Sequence, residues 1–282
     1  MLARFNVVSQ VVGAYGLLNK DFSFRLFLGV LFSVLWLGQA WATPESEGLA
    51  IFEEADRRET GFQDLQVNLT MILRTSRGNE SRRALRIKQL EMPTDGDKML
   101  VVFDTPKQIR GTALLSFSHK VDQDDQWLYL PAMKRVKKVT SRNKSGPFLS
   151  SEFAFEDLTS PEIQKYAYRY LRKEMLNGVP CFVVERIPKD EFSGYSRQVV
   201  WLDENEYRTL KIDYFDRKSS LLKTLTFDAY ERYLDRFWRP SRMMMENHQT
   251  RKSTELVWSN FRFRTGLDDA RDFTTNSLRR VR

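Results

Sequence analysis

The sequence predicts a mainly β protein built on one antiparallel sheet, with a single long helix ahead of it. Three observations carry this. Thirteen segments of strand character follow one another from Gln63 to Arg264, joined by short polar turns. The clearest of them alternate apolar and polar residues with a period of two, the spacing at which successive side chains face opposite sides of a strand. No Gly/Ser-rich linker or shift in composition interrupts the series, so residues 43–282 read as one domain, of a size that all-β domains often reach undivided.

Residues 1–42 are set apart. Leu26 to Leu37 is an apolar run preceded by Lys20 and Arg25 and followed by Ala40-Trp41-Ala42. A membrane-crossing helix needs roughly 20 apolar residues, so the run is short for one, and the small-x-small tripeptide predicts a secretory signal peptide cleaved after Ala42. Residues 1–19 form a long extension ahead of it, as a start codon assigned too far upstream would give. Removing residues 1–42 takes Arg4, Lys20 and Arg25 against Asp21, which lowers the formal net charge from +8 to +6. The positive charge is spread over nearly every segment, and an exported chain rarely meets nucleic acid, so no nucleic-acid partner is expected. The one cysteine, Cys181, lies in the apolar run Cys181-Phe182-Val183-Val184. It reads as a small buried hydrophobe, and no disulfide framework is possible.

Thr43-Pro44 followed by Glu45 and Glu47 is a helix start. Leu49, Phe52 and Ala55, with Ile51 beside them, make the apolar stripe, and Gly61 sits where the helix should stop. In the first strand Leu65, Val67, Leu69, Met71 and Leu73 face one way against Asp64, Gln66, Asn68 and Thr70. This face is expected to look inward, with the helix on that side. Ser76-Arg77-Gly78-Asn79 turns the chain back into an antiparallel partner. Lys98 to Asp104 and Thr112 to Phe117 are apolar on both faces, so each needs a cover on either side, and the helix can supply only part of one. A second covering element or a ligand must supply the rest. The tail from Asp268 lacks periodicity, apart from Phe273, and is expected along the surface.

Asp125 to Val139 combines an apolar arm, a turn at Pro131 and a basic arm. Trp127 and Tyr129 share one face of the first arm and Leu128 and Leu130 the other. Lys134, Arg135, Lys137 and Lys138 flank Val136 in the second. Phe148, Leu149, Phe153 and Phe155 then crowd a connector in which Ser151 is placed to cap a short helix. Such a segment either packs down as a plug or moves as a lid. Beyond it come Tyr166, Tyr168 and Tyr170 on one face, a tight turn at Asn177-Gly178, and further strands. On the strand from Arg239, Met243 and Met245 share a face, which suits either core filling or an adaptable apolar surface.

Enzyme chemistry has little support. His119 and His248 are far apart in sequence and not in a metal-ligand spacing. No glycine-rich phosphate loop, nucleophile elbow or Cys/His cluster occurs. Asp124-Asp125 and Glu53-Glu54 read as solvated charge. No cofactor is expected, and the protein is not expected to be an enzyme.

The blocks KMLVVFDTPKQIRGTALLSFSHK, DDQWLYLPAMKRVKKV, FLSSEFAFEDLTS and YSRQVVWLDENEYRTLKIDYFDRK resemble the outer-membrane lipoprotein-sorting protein family of Gram-negative bacteria, from about Gly48 onward. The resemblance implies a LolA-like incomplete, half-open β-barrel: one strongly curved sheet whose concave apolar face is covered by helices and receives acyl chains. It also implies a periplasmic location, lipid or the acyl chains of lipoproteins as cargo, and, since some relatives sit beside such exporters, an inner-membrane RND-type transporter or an outer-membrane acceptor as partner. A glycine is usual in the family where this chain has Ser150. The expected cavity lining is Val101, Phe103, Leu114, Trp127, Tyr129, Met133, Phe148, Phe153, Phe155, Met243 and Met245, with Lys134, Arg135, Lys137 and Lys138 meeting headgroups or a partner. The alternative is a periplasmic sensor or assembly factor that binds a protein partner and carries no lipid.

Overall fold

The computed structural model describes residues 43–280, so the signal segment and the expected cleavage after Ala42 lie outside the described residues. Among the described residues no helix is long and apolar enough to cross a membrane.

Helix α1 spans Pro44–Glu59. The Thr43 hydroxyl caps it by accepting the Ser46 N–H at 3.2 Å, while acidic residues in the first turn and Arg57 and Arg58 in the last complement the helix dipole. Ile51 is buried, and Leu49, Phe52 and Ala55 pack beside it. At Gly48 a β-carbon would stand 2.7 Å from the backbone nitrogen of Tyr170, so the helix rests directly on a strand and only glycine fits there.

The thirteen strands are β1 (Asp64–Arg74), β2 (Glu80–Leu90), β3 (Lys98–Thr105), β4 (Ala113–Phe117), β5 (Asp125–Leu130), β6 (Arg135–Lys138), β7 (Tyr166–Leu176), β8 (Val179–Pro188), β9 (Tyr195–Asp203), β10 (Thr209–Asp216), β11 (Leu221–Tyr233), β12 (Phe237–Asn247) and β13 (Ser253–Phe263). They form one antiparallel sheet in the order β6-β5-β4-β3-β2-β1-β13-β12-β11-β10-β9-β8-β7. The chain is thus two meanders, β1 to β6 and β7 to β13, sewn together where β1 meets β13 with Leu69 opposite Trp258. The sheet curls without closing. Its two edges, β6 and β7, are joined in sequence by the connector, residues 139–165.

Leu65, Val67, Leu69 and Met71 are buried in the concave core with Leu85 and Ile87 of β2, Leu225 of β11 and Leu256 of β13. The convex side of β3 and β4 presents Leu100, Val102, Ala113 and Leu115, and these are also buried. Their cover is the C-terminal tail, which after helix α2 (Asp269–Asp272) lays Phe273 and Leu278 onto them. Lys98 meets Asp269 at 2.6 Å and Lys88 meets Asp272 at 2.7 Å, pinning the tail in place. The tail is therefore a packed layer and not only a surface segment, because two large apolar groups suffice to dock it, each worth about 1.5–3 kcal/mol when fully buried. Cys181 is buried on the convex side with Val183, Val199 and Trp201.

Candidate ligand cavity

The connector leaves β6 and folds back into the concave face as two short 3₁₀ turns, Phe148–Ser150 and Phe155–Leu158. The expectation that Ser151 caps a helix is corrected: its hydroxyl instead donates to the Phe148 carbonyl at 2.7 Å, closing the first turn from behind. The Asp157 carboxylate opens the second turn by accepting the Ala154 N–H at 2.7 Å. Leu149 and Ser150 both adopt left-handed backbone, with φ of 47° and 66°. The Phe148 ring is buried 5.7 Å from that of Phe103 and 5.4 Å from that of Phe155.

Polar anchors hold this plug to the second meander. Lys223 of β11 donates to Asp157 at 2.8 Å and to the Glu152 carbonyl at 2.9 Å, under the rings of Tyr195 and Tyr214. The Tyr195 hydroxyl donates to the same carboxylate at 2.9 Å, and Asn247 Nδ2 donates to Glu152 Oε2 at 2.7 Å. Lys223 and Asp157 are almost fully buried. A buried pair of this kind tolerates loss of neither partner, since the survivor is left as an uncompensated charge. Beside it Glu156 accepts hydrogen bonds from the Ser193 hydroxyl and the Gly194 N–H. Burial and the neighbouring Asp157 charge push its carboxyl up to about 7.

Past the plug the concave face opens into a cavity of about 750 Å³. Its rim is the β4–β5 loop, with Asp122 and Asp124, and the β8–β9 loop, with Lys189 and Asp190. Lys165 pairs with Asp124 there. The inner surface is Ile212 and Tyr214 of β10, Leu225 and Phe227 of β11 and Met243 of β12. One wall is polar: Tyr166 of β7, Arg186 of β8 and Gln198 of β9, the last two being register partners across the sheet. The volume lies within the range of about 300–1,000 Å³ usual for small-molecule sites.

An outer membrane lipoprotein-sorting protein domain from Vibrio parahaemolyticus is 52% identical and superposes with a TM-score of 0.82, over 83% of this chain and 99% of its own. The chain belongs to the outer-membrane lipoprotein-sorting protein family. A DUF1329 family protein from Desulfovibrio piger is 29% identical, with a TM-score of 0.80 over 84% of this chain and 99% of that one. A LolA superfamily protein from Nitrosomonas europaea, 21% identical with a TM-score of 0.66 over 81% and 98% of the two chains, shares the fold. A family profile described as an uncharacterized protein matches residues 95–280. Among curated proteins nothing matches.

In this sorting-family protein the sequence-predicted site residues divide into groups. Phe153 and Met243 line the cavity. Val101, Phe103, Leu114 and Met245 are buried in the concave core, and Phe148 and Phe155, which belong to the plug itself, pack there with them, so these six face the right way but do not line the cavity. Trp127 and Tyr129 are on the convex side, packed with the tail's cluster, while Leu128 turns inward. Strand parity separates Leu128 from its neighbours, and the tail supplies the cover that both aromatic rings need. Met133 is solvent-exposed at the β5–β6 turn. Lys134, Arg135, Lys137 and Lys138 form an exposed edge, where Lys138 pairs with Asp125 at 2.6 Å and lies over the Trp127 ring. Charge on an edge strand also discourages pairing with another sheet. His119 sits 2.6 Å from Asp95, and His248 meets the Thr224 hydroxyl at 2.8 Å. Among the described residues no group of His, Cys, Asp and Glu is arranged to hold a metal. The polar wall is what sequence reasoning missed. Its signal was present: Arg186 has the parity of Phe182 and Val184, which are both turned into the concave core.

Proposed function

We propose that this protein carries a lipid, or the acyl chains of a lipoprotein, in the cavity between the plug and β10–β12, and moves it toward the outer membrane. One observation supports this above the others: an apolar floor of Ile212, Leu225, Phe227 and Met243 beneath a rim of charged loops, inside a curled sheet shared with sorting proteins. Each methylene withdrawn from water is worth about 0.8 kcal/mol, so a cavity of this kind offsets the cost of holding an acyl chain between membranes. The reading places the protein in the periplasm after removal of residues 1–42. An inner-membrane RND-type transporter would be the donor or an outer-membrane protein the acceptor, and the basic edge of β6 would meet an anionic headgroup or an acidic partner.

Native mass spectrometry and solvent extraction of the protein purified from its own periplasm test this. A lipid-sized adduct that reappears in the extract is the expected result. A ligand-free mass with an empty extract would replace the carrier with a sensor or assembly factor that binds a protein.

A further inference from the structure

Arg186 is an unusual resident for the wall of an acyl cavity. It is 7% exposed, and its Nε donates to Gln198 Oε1, itself a side chain only 3% exposed. Its guanidinium lies 4.8 Å from the Tyr166 ring centroid and 5.6 Å from that of Phe52 on α1. Among the described residues no carboxylate pairs with it and its two Nη groups have no hydrogen-bond partner, although Arg186 lines the cavity. A buried charge is expensive unless it is paired or hydrogen-bonded, and ring faces with one amide acceptor satisfy only part of a five-donor fork. The acids nearby are already committed: Asp157 to Lys223, Asp124 to Lys165, and Glu156 to Ser193 and Gly194. A positive charge is therefore left over inside the cavity, next to its apolar floor.

From this arrangement we infer that Arg186, oriented by Gln198 and stacked against Tyr166, receives the anionic head, a carboxylate or phosphate, of an amphiphile whose chain lies over Leu225, Phe227 and Met243. The guanidinium fork matches such groups through two parallel hydrogen bonds. The inference rests on the carrier reading and narrows it, because it demands a cargo with a negative head buried beside its chain.

The test is calorimetric titration of purified, delipidated protein with dodecyl phosphate, dodecanol and inorganic phosphate. Dodecyl phosphate should bind at least tenfold more tightly than dodecanol, and inorganic phosphate should bind far more weakly than either. Arg186→Gln should bring the two chains within about twofold of each other without weakening dodecanol, and Arg186→Lys should retain part of the difference. Should Arg186→Gln melt early, Arg186→Met restores apolar packing, and Gln198→Leu probes the same fork from its partner. Met243→Trp, which fills the floor, should weaken both chains alike. Equal binding of phosphate and alcohol by the unmutated protein would overturn the inference and leave the carrier intact. Arg186-dependent binding of inorganic phosphate as tight as that of dodecyl phosphate would also overturn it, in favour of a free-anion site. Binding of no chain at all would overturn both readings.

Discussion

The two meanders use the same period-two code and belong to one sheet, yet one is filled and the other is hollow. In β1 to β6 the concave face is stopped by Phe148 and Phe155 and the convex face of β3 and β4 is roofed by Phe273 and Leu278. In β7 to β12 the concave face borders a cavity lined by tyrosines, Arg186, Gln198 and Asp157, the last paired with the buried Lys223. The more apolar half is thus the one without room. Empty space lined only by hydrocarbon forfeits dispersion contacts on every side, so the chain's own greasy segment takes it. Space lined partly by polar groups can be held open by water or a ligand that satisfies them.

The largest test of this contrast is truncation of one large apolar side chain on each side. Phe148→Ala should lower unfolding free energy by about 3–5 kcal/mol in denaturant titration, as loss of a fully buried phenylalanine does. Met243→Ala, whose side chain already borders open space, should lower it by well under about 2 kcal/mol. Similar losses at both positions would mean that the second meander is packed as tightly as the first.

A smaller effect comes from two partly buried carboxyls of the connector. Glu156 and Glu162 are each pushed up to about 7, chiefly by burial and then by neighbouring acids, Asp157 for the first and Asp97 and Asp56 for the second. An unfolded glutamate titrates near 4.3, so between roughly pH 4.5 and 7 the folded chain binds more protons than the unfolded one. Their contribution is complete below that window and is lost as pH rises through it. The thermal midpoint should therefore be lower at pH 8 than at pH 5.5 as far as these groups govern it, and Glu156→Gln should flatten the slope and raise the midpoint at pH 8. An unchanged slope would show that Glu156 is not held as described.

The smallest effect is at Ser150, in left-handed backbone that a side chain resists by about 1–2 kcal/mol. Ser150→Gly should stabilise the connector by about 0.5 kcal/mol, after glycine's greater entropy loss on folding is subtracted. A destabilised variant would mean that the hydroxyl contributes more than the backbone relief.

Much of this fold was legible because strand parity is a local code. Leu65 to Met71 inward, the Thr43 cap and the thirteen strands all follow from residues within a few positions of one another. Parity also set Trp127 and Tyr129 against Leu128, but with both faces apolar it could not say which was inner. That choice depends on Phe273, nearly 150 residues away. The demand for two covers on β3 and β4 was readable; the identity of the second cover was not, because two apolar residues in a charged tail make no pattern. Arg186 is the reverse case: its inward side is readable from Phe182 and Val184 on the same strand, but a charged residue in a strand reads by default as solvent-facing.

The seam between β1 and β13 carries one more consequence, for the order in which the molecule can be completed. Every other pair of adjacent strands is also adjacent in sequence, whereas this seam joins Leu65 to Phe263. A chain emerges N-terminus first, so β1 waits for eleven other strands with one side bare before β13 can pair with it. The hairpins can form early from local contacts, but the long-range pairing arrives last and must first overcome the entropy of closing that loop. The residues that immediately follow β13 are those that roof β3 and β4. The strand that closes the seam and the residues that form the outer roof are therefore neighbours in sequence, so a chain cut before Phe273 loses the roof, and one cut before Ser253 loses the seam as well.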